Sequence, residues 1–244
     1  MTGTEAIVFL EKSFQVIRKK RRKSLSIKIS SDQFKVFTNE SVPKSALLDF
    51  LQSKQAWLSE NIKIIEDKKL KFPQPKFEDG SLFPFYGELK HFNFIETKLK
   101  KILFQVEDGF LICSIPRQDP SLRMNINELK KALIKFYKAS ARDFLIPRCF
   151  AKGQELALIP NNVKIQTARA RWGSCSSKKV IQLNWKLMVF PRAIMDYVIV
   201  HELCHLKHLN HSADFWNLVE SNFPNYKEIE SEIKSQYLRA EFLK

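Results

Sequence analysis

The sequence contains no uninterrupted apolar run of about eighteen residues, which excludes a helix built to cross a membrane. The early AIVFL segment is too short for the apolar centre of a secretion signal, and Glu5 rather than a basic residue precedes it. The four cysteines, Cys113, Cys149, Cys175 and Cys204, show neither C-x-x-C spacing nor a disulfide framework. Reduced, mostly buried thiols and a cytoplasmic location are the expectation. There is no G-x-x-x-x-G-K-[ST] loop and no carboxylate cluster suited to magnesium, so the usual machinery of nucleotide phosphate chemistry is missing. Internal repeats and low-complexity stretches are also absent. Acidic residues are in deficit, with 26 Asp and Glu against 41 Lys and Arg, giving a net charge of +15. Such a surface attracts polyanions, so nucleic acid is a candidate partner. Solubility alone is the competing explanation, since the charges are spread along the chain.

With 244 residues, 44% of them hydrophobic, the chain can bury one large core or two small ones. Leu25, Ile27 and Ile29 alternate with polar residues, Ser30 to Gln33 reads as a turn, and Phe34 and Val36 alternate again. This predicts a hairpin, with the basic run Arg18 to Lys23 as its solvated entry. Pro43 opens a helix over about 43–69 with Leu47, Leu51, Trp57 and Leu58 inward, followed by a connector at Pro73 and Pro75. Residues 77–117 read as strands with a hairpin turn at Asp108-Gly109. Their many phenylalanines suit a sheet core, and His91 reads as isolated and structural. Residues 126–159 return to helical spacing, and Pro147 is expected to interrupt them. A strand at 163–166, a segment from Ala170 to Cys175, a turn at 176–179 and a return strand at 180–187 follow.

The return strand feeds VIVHELCHLKHLNHSADFW, residues 198–216, which holds four of the five histidines. Pro191 suits a first helical turn. Ile194, Val198, His201 and His205 then follow spacings of three and four, one stripe of an amphipathic helix. His201-Glu202-Leu203-Cys204-His205 is an H-E-x-x-H motif. Residues four apart share a helix face, so two imidazoles can reach one metal ion, with Glu202 beside it as a base for a metal-held water. His208 and His211 compete as third ligand. His208, seven residues past His201 on the same helix, would lie about 10 Å further along the axis. His211 follows Asn210, a good helix terminator, and precedes Ser212, a good cap for the next helix. His211 is therefore favoured, with His208 solvated or in an outer role. Cys204, pointing another way, reads as a small core residue.

Four stretches follow in order: R-x-R-W-G-S-C-S (Arg169 to Ser176), I-Q-L-N-W-K-L (Ile181 to Leu187), D-Y-V-x-V-H-E-L-x-H (Asp196 to His205) and N-H-S-x-x-F-W (Asn210 to Trp216). Together with the N-terminal basic hairpin and Asp79 to Gly87, they resemble the YgjP-like metallopeptidase family, which is similar to SprT and Wss-type zinc peptidases. The resemblance implies a zincin-like fold, zinc on His201, His205 and His211, and Glu202 as general base. It also implies that Arg169, Arg171, Trp172 and Ser174 lie near the site. Family members have been regarded both as peptidases and as nucleotide hydrolases.

The expected protein is therefore α+β. Residues 1–120 form a β-rich N-terminal part with one long helix, and 121–244 a helical, metal-binding catalytic part. Three imidazoles leave zinc a fourth position, as catalytic sites do. The expected reaction is peptide hydrolysis on a polypeptide substrate, with Arg171 or Tyr197 as oxyanion donor and the edge of the strand beside the metal to hold the peptide. The alternatives are a metal-dependent nucleoside triphosphate hydrolase, with Arg169 and Arg171 on phosphates, and a non-catalytic basic protein with structural zinc.

Overall fold

The computed structural model describes residues 5–30, 33–71, 74–117, 125–169 and 171–243. Ser31 and Asp32 of the expected first turn, Pro73 of the expected connector and Ala170 lie outside them. The chain divides into two compact units, Met1–Pro73 and Gln74–Lys244.

In the first unit, β1 (Ala6–Phe9), β2 (Lys12–Arg18), β3 (Ser26–Ile29) and β4 (Phe34–Thr38) form one sheet in the order β1-β2-β4-β3. The hairpin expected over 25–36 is the antiparallel pair β3–β4, and β2 adds to β4 in parallel. Before it comes a hairpin that composition hides. Its turn, Leu10-Glu11, holds both residues at left-handed φ of 48° and 58°, where glycine or asparagine would be usual. One face of the sheet carries Phe14, Val16 and Val36, buried with Leu47, Leu51, Leu58 and Ile62. The expected long helix is two, α1 (Lys44–Ser53) and α2 (Gln55–Lys71), broken at Lys54. The break rotates the second helix's face, and Trp57, expected inward, is 45% exposed.

In the second unit, β5 (Leu82–Phe85), β6 (Glu88–Thr97), β7 (Leu103–Glu107) and β8 (Phe110–Pro116) form a sheet in the order β5-β6-β8-β7. Asp108-Gly109 makes its turn with φ of 48° and 85°, the signs a type I′ hairpin demands. Phe83, Phe85, Phe92 and Leu111 point into a core shared with α3 (Ile126–Glu155) and the elements that follow it. Pro147 does not interrupt α3, which runs through it. Leu145 and Cys149, flanking the proline, are fully buried, so tertiary packing holds the helix across the missing hydrogen bond.

A second sheet has the order β10-β11-β9, from β9 (Asn162–Gln166), β10 (Gly173–Cys175) and β11 (Val180–Asn184). The return strand ends earlier than 187 because the Asn184 side chain accepts from the Lys186 N–H, capping a 3-10 turn at Trp185–Val189. β10 is an edge strand, hydrogen-bonded on one side only among the described residues. Helices α4 (Arg192–Cys204), α5 (Ala213–Asn222) and α6 (Tyr226–Gln236) complete the unit. Among the described residues, no helix is long and apolar enough to cross a membrane.

Candidate metal centre

Helix α4 is anchored over its first half. Gly87, at φ +82°, turns so closely over Pro191 that a Cβ would come within 2.6 Å of the proline's Cα, so only glycine fits there. Arg148 of α3 grips Asp196 with two hydrogen bonds of 2.8 and 2.7 Å. The stripe expected on α4 is only part of its buried surface. Ile194, Met195, Tyr197, Val198, Ile199, Val200, Leu203 and Cys204 are all buried, which is the pattern of a helix inside a core. Cys204 is the small core residue expected, and burial pushes its thiol up to about 11.

The helix stops at Cys204, so His208 is not on it. The chain turns there, His211 comes back over the helix end, and Ser212 caps α5 by accepting from the Phe215 N–H. One ligand-capable atom from each of His201, His205 and His211 lies within 4.8 Å of the others. The Nε2 atoms of His201 and His211 are 3.2 Å apart. Phe215, fully buried, packs against all three rings, with centroids 5.0, 4.4 and 4.8 Å away, and stacks on that of His205. Trp216 lies 5.5 Å from His211 and stacks on Tyr226. Sequence reasoning gave Phe215 and Trp216 no role.

The far sides of two rings are also engaged. His205 Nδ1 lies 2.9 Å from the His208 carbonyl oxygen and donates to it. His208 thus contributes its backbone rather than its ring. Tyr197 donates its one hydroxyl proton to Glu230 of α6 at 2.9 Å, so at 3.4 Å from His201 Nδ1 it accepts from that ring. Both arrangements leave the Nε2 lone pairs free, as outer partners of metal-binding histidines do. Tyr197 therefore sits on the Nδ1 side of His201, away from the cluster centre, and is committed to Glu230. Burial, reinforced by the other two histidines, pushes His201 down to about 4, and burial also lowers His205. Neutral imidazole is the form that binds metal.

Glu202 is 5% exposed, and its Oε2 has no hydrogen-bond partner among the described residues. Burial raises its carboxyl to about 8, partly offset by the Arg171 guanidinium. The carboxylate lies against Gly173 of β10, where a Cβ would meet Oε1 at 2.5 Å. This lone glycine in R-W-G-S-C makes room for Glu202.

The segment before β10 is held by Asn184, which is 2% exposed. Its Nδ2 donates to the Ala168 and Arg171 carbonyls at 2.9 and 2.8 Å, and its N–H donates to the Trp172 carbonyl at 2.8 Å. Nothing but its place in Q-L-N-W pointed to it. Arg171 and Arg169 are exposed, whereas Trp172 packs edge-on against Phe190 at 4.9 Å as part of the wall. Ser174 lies on β10 next to Gly173. His91 is exposed on β6, outside the cluster.

A buried helix presenting two imidazoles and a carboxylate, met by a third imidazole from the next turn, is an arrangement that could hold a metal ion beside an acid–base group. The chain belongs to the YgjP-like metallopeptidase family, whose metallopeptidase domain matches residues 23–236. Two solved structures are similar over a shorter region. One is the metallopeptidase zymogen of Pyrococcus abyssi abylysin, 28% identical, covering 37% of this chain and 91% of that one with a TM-score of 0.34. The other is the metallopeptidase zymogen of Methanocaldococcus jannaschii jannalysin, 26% identical, covering 37% and 94% with a TM-score of 0.34. No curated protein matches the chain by sequence.

Proposed function

We propose that the protein is a zinc-dependent peptidase that holds its metal on His201, His205 and His211 and uses Glu202 as general base. The observation that carries the reading is the 3.2 Å between the Nε2 atoms of His201 and His211. Two nitrogens bound tetrahedrally at about 2.0–2.1 Å from zinc stand about 3.3 Å apart. Two aligned imidazole nitrogens would otherwise need a shared proton to sit so close. The donor set fits zinc, and it lacks the carboxylate oxygens that magnesium or calcium would require.

When bound there, zinc supplies Lewis acidity toward a peptide carbonyl and lowers the pKa of water toward about 7. The remaining steps belong to the chain. Glu202, with one carboxylate oxygen unpartnered, takes the proton of the attacking water and delivers it to the leaving nitrogen. The cluster's charge, once a cation is present, keeps that carboxylate ionised despite its burial. Arg171, near enough to bias Glu202, is the candidate to face the developing oxyanion. The open edge of β10, beside Glu202, accepts an extended peptide as an added strand.

The test is elemental analysis combined with two substrate assays. Purified protein should carry one zinc and cleave an unfolded polypeptide, and should leave nucleoside triphosphates intact. His211→Ala should lose zinc to a mild chelator while His208→Ala keeps it. Equal loss in both variants, or triphosphate hydrolysis without polypeptide cleavage, overturns the reading.

A further inference from the structure

The outward face of the first unit's sheet carries chemistry that the metal centre does not use. Opposite the buried Phe14, Val16 and Val36, strand registers line residues up in two cross-strand rows. In one, Ile17 of β2 stands beside Phe37 of β4, which stands beside Ser26 of β3. In the other, Gln15, Lys35 and Lys28 are neighbours in the same way. The rows are two residues apart along each strand, about 6.7 Å. Neither Ile17 nor Phe37 packs into the core beneath. An aliphatic and aromatic row thus faces outward next to a cationic one.

Lys28 and Lys35 are directly opposite each other, an arrangement that costs stability in a sheet. Among the described residues, no carboxylate forms an ion pair with either lysine, or with Lys19, Lys20, Arg21 or Lys23 of the turn between β2 and β3. Glu5 is committed to Arg18, and Lys12 to Glu66. Glu40 is exposed one residue past Asn39.

The basic turn is also fixed in place. Asn39 donates through its side-chain amide to the Lys20 and Arg22 carbonyls, each at 3.0 Å. Arg22 N–H bonds the Lys19 carbonyl at 3.1 Å, and Lys19 N–H bonds that of Thr38 at 2.9 Å. Arg22 is tied to Ser24 and Ser26 and lies over the Phe37 ring, 5.3 Å from its centroid. Charge serving solubility alone gains nothing from such clamping. A ligand with spaced negative charges does, because the ordering cost of the turn's backbone is already met.

We propose that this face binds single-stranded nucleic acid. A base stacks on the Arg22 guanidinium, which the Phe37 ring backs, and the flanking phosphates lie along Lys35 and Lys28 and the 19–23 turn. Bases on an aromatic position beside a cationic track are how sheet platforms hold single strands without reading sequence. Phe37 and Ile17 are half-buried, too little apolar surface to enter a bilayer, and an acidic protein would need the charge only, so the aromatic position favours a nucleic-acid base. The proposal does not depend on the metal centre, and each can fail alone.

The test is fluorescence anisotropy on the full chain with a labelled oligothymidylate of about fifteen nucleotides, a duplex of equal length, heparin, and phosphatidylserine-containing vesicles. The single strand should bind with a salt dependence of several phosphate contacts. Lys28→Gln with Lys35→Gln should lower its affinity about tenfold near 0.1 M salt and reduce the log–log slope by about 1.4, at about 0.7 per contact. Phe37→Ala should cost the single strand about fivefold or more and leave heparin binding unchanged. Lys98→Gln with Lys100→Gln, an equal charge change on exposed residues elsewhere, should do nothing. Thermal melts of each variant establish that it is folded. Equal loss from both lysine pairs, no effect of Phe37→Ala, or binding to vesicles without binding to the single strand overturns the proposal.

Discussion

Helix α4 and the two segments that close over it contribute to the candidate centre in different ways. The helix is buried on nearly every side and carries His201, Glu202 and His205. The segments around Arg169 and around His211 are exposed, and each is tied down at a few points: by Asn184 for the first, and by the Ser212 cap and the Phe215 ring for the second. Glu202 and two of the three imidazoles are on the element with the least freedom, whereas the third imidazole, His211, and Arg171 come from exposed segments fastened by a few contacts. The difference teaches where precision is bought, and it can be probed from both sides.

The largest effect is expected on the helix side. Glu202→Gln keeps the shape and removes the base, so folding and zinc content should persist while peptide cleavage falls about 10²–10⁴-fold. If Arg171→Ala loses as much, the contrast between helix and loop fails. Next comes Gly173→Ala, which strikes the helix carboxylate from the strand. A methyl 2.5 Å from Glu202 Oε1 must displace it, and a displacement of about 1 Å can cost about 10²-fold in turnover with the three imidazoles untouched. Unchanged turnover would mean that Glu202 is not held where it acts.

Tyr197→Phe removes the outer partner of His201. Zinc affinity should drop by about tenfold in a competitive chelator titration, and Glu230→Gln should do less because it still accepts a hydrogen bond. No change in Tyr197→Phe would place the support of His201 in packing alone. The smallest effect is in the metal-free protein. The folded carboxyl of Glu202, at about 8, is above its ordinary range, so the folded state holds a proton that the unfolded state releases. Stability conferred by that proton is complete at low pH and is lost as pH rises toward about 8. His201, pushed down to about 4, acts oppositely, but only below about 6.5. Between about pH 6.5 and 8 the Glu202 effect stands alone, worth at most about 1.4 kcal/mol per pH unit. The melting temperature of metal-free protein should fall across that window, and Glu202→Gln should flatten the fall.

What could be read from the sequence follows from range. Spacing of three and four on a helix is local, so His201, Glu202 and His205 stood out, and Asn210 and Ser212 marked the turn that returns His211. Asp108-Gly109 announced its hairpin because its residue types tolerate positive φ. Leu10-Glu11 takes the same kind of turn without such residues, at a cost carried by the sheet around it, so it left no trace. The break at Lys54 has neither proline nor glycine, and Pro147 is overruled by the packing on both sides of it. Tyr197 and Glu230 are 33 residues apart, and Asn184 reaches back 16 residues to Ala168. Neither partnership has a spacing rule. Both depend on tertiary approach, as does the reason for glycine at 173.

β10 is three residues long and, among the described residues, open on one side. A ledge that short grips a few main-chain groups and few side chains, so it discriminates poorly between sequences. It discriminates well between conformations. A folded domain keeps its backbone amides and carbonyls paired within itself, whereas a loosened or nascent chain has them to spare. Used as a docking ledge, the strand would sort clients by how far they have come undone, a form of quality control that needs no recognition motif.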